Sequence, residues 1–207
     1  MSEPQPWQSI VDVVILHPTH AQLLVQQRDQ EWALPRVPLS QVWLAPLQQV
    51  SAELQSALGL ATTVLQKVAE GRDEANRLAY FLFLLEPQTP LWTPPTGVRW
   101  LGAAELDAVR FTHPAHQLAV ATRLQERAQG VIPLLRAPNA KSGWRQGAER
   151  WIERQVTALG YSLTGPIIQI KNWFLSCILC APTTQGKVYF KASNRSPLMV
   201  NEAQITQ

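Results

Sequence analysis

Apolar residues recur along this chain in two rhythms, and the switches between them mark its elements. Residues 10–16 form an apolar run rich in Val and Ile, the pattern of a buried strand. Residues 22–28 fit a second strand after the turn His17-Pro18-Thr19-His20, so the two are predicted to form a hairpin. A proline-punctuated stretch follows Trp32-Ala33-Leu34-Pro35. Leu47, Val50, Leu54, Ala57 and Leu58 then recur at three- and four-residue spacing, an amphipathic helix closed by Gly59. Strands are expected at residues 62–69 and 78–85, joined by the polar turn Glu70-Gly71-Arg72-Asp73-Glu74, and at 98–101. Residues 103–109 and 114–128 read as helical.

A stretch rich in Pro, Gly, Asn and Ser at 131–143 reads as a linker, separating a first domain at 8–130 from a second at 144–207. The second opens with a helix at 144–159, whose Trp144, Ala148, Trp151, Ile152 and Leu159 share one stripe. Strands at 167–171, 175–181 and 187–192 follow, the last two joined by Pro182-Thr183-Thr184-Gln185-Gly186. A further helix is expected from about residue 198. The predicted fold class is α+β: a mixed sheet flanked by helices, then a helix with a three-stranded antiparallel sheet.

Composition narrows the possibilities. The longest apolar runs are too short to span a bilayer, and the N-terminus lacks the basic and apolar regions of a secretory signal. No membrane partner and a cytoplasmic location are therefore expected. Charge divides unevenly: residues 1–138 carry 10 basic and 12 acidic side chains, residues 139–207 carry 8 and 3. Such a basic segment can favour a polyphosphate or a nucleic acid, although charge alone decides nothing and no nucleic-acid partner is expected. Cys177 and Cys180 are spaced C-x-x-C, but within a strand they face opposite sides and read as ordinary buried thiols. The histidine pairs His17/His20 and His113/His116 read as turn and helix-start residues rather than a metal site.

The order of hairpin, Trp32-Ala33-Leu34-Pro35, helix and Leu58-Gly59-Leu60 resembles a Nudix hydrolase over roughly residues 8–130. With the family box ending on Gly59, Leu54 and Leu60 take the aliphatic positions and Glu53 takes one glutamate. Pro38 falls on the first glycine, Leu44 on the first glutamate and Ala52 on the arginine. Ser56 and Ala57 replace the paired glutamates. Such hydrolysis needs divalent cations held by hard oxygen ligands, so a lone Glu53 implies an inactive domain and no metal site.

Residues 144–207 resemble the amino-terminal lobe of an aminoglycoside-phosphotransferase-like kinase, through Ser176-Cys177-Ile178-Leu179, Val188-Tyr189-Phe190-Lys191 and Asn201-Glu202-Ala203. The resemblance implies that Lys191 contacts the phosphates of ATP and Glu202 positions it, with magnesium in a complete kinase. The sequence reaches Gln207 before any catalytic aspartate, so no catalytic residue is assigned. The expected function is a fragment of an ATP-dependent small-molecule phosphotransferase, with a nucleotide and a small hydroxyl-bearing acceptor as partners. The alternatives are a Nudix-type hydrolase of nucleoside diphosphate derivatives and a non-catalytic nucleotide-binding or scaffolding protein.

Overall fold

The computed structural model describes residues 7–38, 47–89, 91–134, 136–173 and 176–193. The chain divides into two compact units, with the boundary between Ile132 and Pro133, except that Leu47 and Gln48 group with the second.

In the first unit, β1 (Gln8–Ile15) is buried on both faces from Val11 onward and runs parallel to β6 (Leu78–Pro87). β4 (Arg36–Val37) lies antiparallel on its other edge, and β5 (Thr62–Asp73) pairs with β6, giving the order β4-β1-β6-β5. A second sheet has the order β7-β2-β3-β8, formed by β2 (Gln22–Arg28), β3 (Glu31–Ala33), β7 (Val98–Gly102) and β8 (Val109–Arg110). Val14, Leu82 and Leu84 from the first sheet meet Leu23, Val25 and Leu101 from the second in one core, closed by Val120 and Leu124 of α2 (Pro114–Gln129). At about 25 cal/mol per Å² of apolar surface, this burial is the main driving force for the unit. Mixed sheets flanked by helices match the expected fold class.

The expected hairpin of the first two strands is corrected. β1 and β2 touch only at their near ends, where Leu16 bridges Leu23 and the His17 N–H donates to the Gln22 carbonyl at 2.9 Å. Beyond that bridge each strand joins a different sheet, because two facing apolar surfaces bury more area than one flat ribbon can. The hairpin of this region is instead β2–β3, with Arg28 opposite Glu31. Asp29 (φ 49°) and Gln30 (φ 67°) both adopt left-handed backbone, the requirement of a two-residue type I′ turn. The polar stretch expected as a turn at 70–74 lies largely within β5, and the chain reverses after it. Its side chains alternate half-buried and exposed, so a solvated strand face explains the polarity.

α1 (Leu47–Leu58) buries Leu47, Val50, Leu54 and Leu58 at helical spacing, and Gly59 ends it with φ 64°. α2 begins at His113, whose ring accepts from the Ala115 N–H, and ends at Gly130. The helical segment expected at 103–109 is a 3₁₀ helix, Ala103–Ala108.

In the second unit α3 (Trp144–Ala158) packs Ala148, Ile152 and Val156 on Cys177, Leu179 and Ala181 of β10 (Ser176–Thr183). β9 (Ile168–Asn172) and β11 (Gly186–Ser193) flank β10 on either side, both antiparallel. Cys177 and Cys180 are free and buried, and burial pushes the Cys177 thiol up, so it behaves as an inert packing group. The helix expected from about residue 198 lies outside the described residues.

Gln30 supplies a test of the turn. Left-handed backbone costs an ordinary side chain about 1–2 kcal/mol, partly offset in glycine by the entropy of its unfolded chain. Gln30→Gly is expected to stabilise the first unit by about 0.5–1 kcal/mol in urea denaturation; loss of stability would contradict the turn assignment.

Candidate anion-binding site

The β2–β3 turn, β4 and the end of β8 enclose a cavity of about 280 Å³ whose walls include Arg28, Asp29, Arg36, Arg110, Phe111 and Thr112. Three guanidinium groups against one lining carboxylate make this concavity cationic. Its volume falls just below the roughly 300–1,000 Å³ typical of a drug-sized ligand. It suits the anionic part of a ligand whose remainder stays outside.

One buried carboxylate organises the wall. Asp12 is 1% exposed in the middle of β1 and pairs in register with Arg36 of β4. Arg36 donates from Nε to Asp12 Oδ1 at 2.9 Å and from Nη2 to Thr112 Oγ1 at 2.6 Å. Thr112 Oγ1 in turn donates to Asp12 Oδ2 at 2.5 Å. His116 of α2, equally buried, places Nδ1 3.6 Å from Asp12 Oδ2, beyond hydrogen-bond length but close enough for its dipole to favour the carboxylate. Burial pushes the Asp12 carboxyl up; His116, Arg36 and Thr112 together outweigh it and hold the group below its usual 3.8. Asp12 therefore stays ionised and fixes both the Arg36 guanidinium and the Thr112 hydroxyl.

The other two arginines are held differently. Arg110 reaches Glu31 at 2.8 Å, but both side chains are more than half exposed, so water screens the pair and a ligand can displace it. The Nε of Arg28 is buried without a hydrogen-bond partner among the described residues. Burial, then the Arg36 charge, pulls its pKa down, with Arg110 adding to the effect and Asp12 and Asp29 opposing. A crowded guanidinium with an unmet donor is stabilised by any anion that enters beside it.

Pattern reasoning passed over this site. Its signal was Asp12, a charged residue inside the apolar run Ile10-Val11-Asp12-Val13-Val14, but the partners lie 24 and 100 residues away. Only the pairing of β1 with β4 and the path from β8 to α2 bring them together.

The residues singled out from the sequence fare unevenly. Glu53 is half-buried on α1 and is the single carboxylate of that helix; Ala52, Ser56 and Ala57 line its exposed side. This donor set does not fit the divalent cations that a Nudix box holds, since hard cations need several oxygens, several of them charged. Among the described residues no three His, Cys, Asp or Glu side chains cluster as a metal site. His17 and His20 face each other with Trp100, whereas His113 lies against Tyr80 and His116. Lys191 is exposed on β11, and Glu202 lies outside the described residues. No helix among those residues is long and apolar enough to cross a membrane.

No protein-family model matches the sequence, and no curated protein matches it. Among solved structures, a Nudix hydrolase from Nitrosomonas europaea is similar at 17% identity and TM-score 0.47, covering 62% of this chain and 76% of that one. An ADP-ribose pyrophosphatase from Streptococcus suis is 18% identical with TM-score 0.42, covering 56% and 89%. MutT, from a study of Aliivibrio salmonicida and Vibrio cholerae, is 17% identical with TM-score 0.40, covering 58% and 95%.

The phosphotransferase-fragment reading is corrected on this ground. Several of the similar solved structures are named as Nudix-type hydrolases, over about 60% of the chain, and nothing among the described residues shows a kinase-like lobe. The motif misled for a physical reason. Alternation puts a lysine on the open face of many antiparallel sheets, and a helix on the other face is the ordinary way to cover a core.

Asp12→Ala is expected to cost about 1.5–3 kcal/mol, because it strips a charged acceptor from Arg36 and Thr112. The depressed pKa gives a further test. In the native state Asp12 holds its charge to lower pH than the unfolded carboxyl, so its contribution is complete above about pH 3.8 and lost as pH falls below. Denaturation midpoints of the wild type should fall across that acidic window, and Asp12→Asn should flatten the dependence.

Proposed function

We propose a Nudix-type function for the first unit: recognition of a nucleoside diphosphate derivative whose phosphates sit among Arg28, Arg36 and Arg110. Hydrolysis of that derivative is the activity the family resemblance implies, and it replaces phosphoryl transfer as the leading reading. The observation that carries the proposal is the Arg28 guanidinium, which lines the cavity beside Arg36 and Arg110 and is crowded by their two like charges. An entering diphosphate offsets the like-charge crowding, and planar guanidinium forks match phosphate oxygens bidentately. Arg36 is preset by Asp12 and Thr112, so little side-chain freedom is lost on binding. Asp29 on the turn disfavours a ligand with more negative charge than the arginines can compensate.

A second reading, capture without turnover, is favoured by the single carboxylate of α1. One experiment separates the two. Titration calorimetry of the full chain with ADP-ribose, run beside an assay for released phosphate products with magnesium or manganese, reports binding and turnover independently. Binding with turnover supports hydrolysis, and binding without it supports capture. Arg28→Ala should weaken binding about tenfold or more in either case. If ADP-ribose, ADP and UDP-glucose all fail to bind at millimolar concentration, the proposal is wrong.

A further inference from the structure

The second unit has a sheet face that its helix leaves open. α3 covers the side of β10 that carries Cys177, Leu179 and Ala181. The opposite side is assembled rung by rung. Lys191 of β11 lies opposite Ile178, and Ile178 opposite Lys171 of β9. In the next rung Tyr189 lies opposite Cys180, and Cys180 opposite Ile168. Directly opposed residues share a face, so Lys191, Lys171 and Tyr189 all stand on the open side, with Lys187 one rung further along β11.

The chemistry of this face is one-sided. From residue 160 to residue 193 the chain contains no Asp or Glu, whereas Lys171, Lys187 and Lys191 are all exposed. Glu149 and Glu153 belong to α3, which packs on the other side. Tyr189 is 62% exposed between the two β11 lysines, an orientation that wastes its apolar area unless a partner stacks on it. Trp173 is 46% exposed and already demonstrates the preference, with the Lys171 ammonium 3.7 Å from its ring centroid. The indole N–H donates to Ser176 Oγ at 2.7 Å, which holds the ring in place.

We propose that this face binds single-stranded nucleic acid, with a base stacked on Tyr189 and successive phosphates on Lys187, Lys191 and Lys171. Spacing selects a strand over a free nucleotide. Lys187 and Lys191 are four residues apart, about 13 Å along the strand, and Lys191 and Lys171 are two strand gaps apart, about 10 Å. A single nucleotide cannot reach all three ammonium groups; a chain of phosphates can. An aromatic platform between lysines is also tolerant of base identity, because every base presents a stacking face. The proposal is independent of the arginine pocket in the first unit, and it reverses the expectation that nucleic acid plays no part.

Fluorescence anisotropy of the full chain with a labelled ten-nucleotide poly(dT) tests it at several salt concentrations. Three phosphates neutralised on a single strand predict a log–log salt slope of about −2, falling to about −0.7 in Lys187→Ala/Lys191→Ala. Tyr189→Ala should weaken binding about tenfold with the slope unchanged. Arg28→Ala, on the first unit, should leave it intact. These substitutions are at exposed positions, and circular dichroism checks that each variant folds. Failure of poly(dT) and poly(U) to bind, binding indifferent to the Lys187, Tyr189 and Lys191 variants, or equal affinity for free dTMP would each overturn the proposal.

Discussion

The buried Asp12 carboxylate is the constraint on which the first unit's arrangement rests. A charge taken out of water must be met on all sides, and this one is met by groups from three places: Arg36 on the neighbouring strand, the Thr112 hydroxyl just past β8, and the edge of His116 on α2. The first sheet, the end of the second and the last helix of the unit are thereby tied to one atom pair. Satisfying Asp12 also orients Arg36, so the requirement that stabilises the interior prepares the wall of the cavity. The stability of the interior and the orientation of Arg36 in the cavity wall therefore share one hydrogen-bond network.

The two basic regions differ in how their charge is held. Arg28, Arg36 and Arg110 converge on a concavity, where partial burial strengthens each guanidinium's pull on an anion and raises the cost of leaving it unmet. Lys171, Lys187 and Lys191 lie spread over a sheet face, exposed to water and salt. The proposed partners differ accordingly: a compact diphosphate for the first and an extended polyanion for the second. The side chains match: planar forks where geometry is fixed, flexible ammonium groups where the partner's path varies.

Several features could be read directly from residues. The stripe Leu47, Val50, Leu54 and Leu58 required a helix with one buried side, and Gly59 required its end; both are found. The alternation of Lys187, Tyr189 and Lys191 against Val188 and Phe190 placed the lysines on one face of β11. That the positions beside Glu53 on α1 carry no charge was equally plain. In contrast, the arginine pocket had no linear signature, and the pairing of Lys191 with Glu202 was inferred from motif likeness, which nothing in the sheet geometry required.

Local pattern by itself determined the longer helices and strands, because these are set by which neighbours within a few residues share an apolar face, whereas the short strands β3, β4 and β8 exist only through their pairing partners. It also determined the one-sided charge of residues 160–193, which is a matter of composition. Only the tertiary structure decided that β1 and β2 separate into two sheets, and that Asp12, Arg36 and Thr112 meet. The reason is that a buried charge can be satisfied by any partner the fold delivers, and delivery across 100 residues depends on strand order rather than on spacing in sequence.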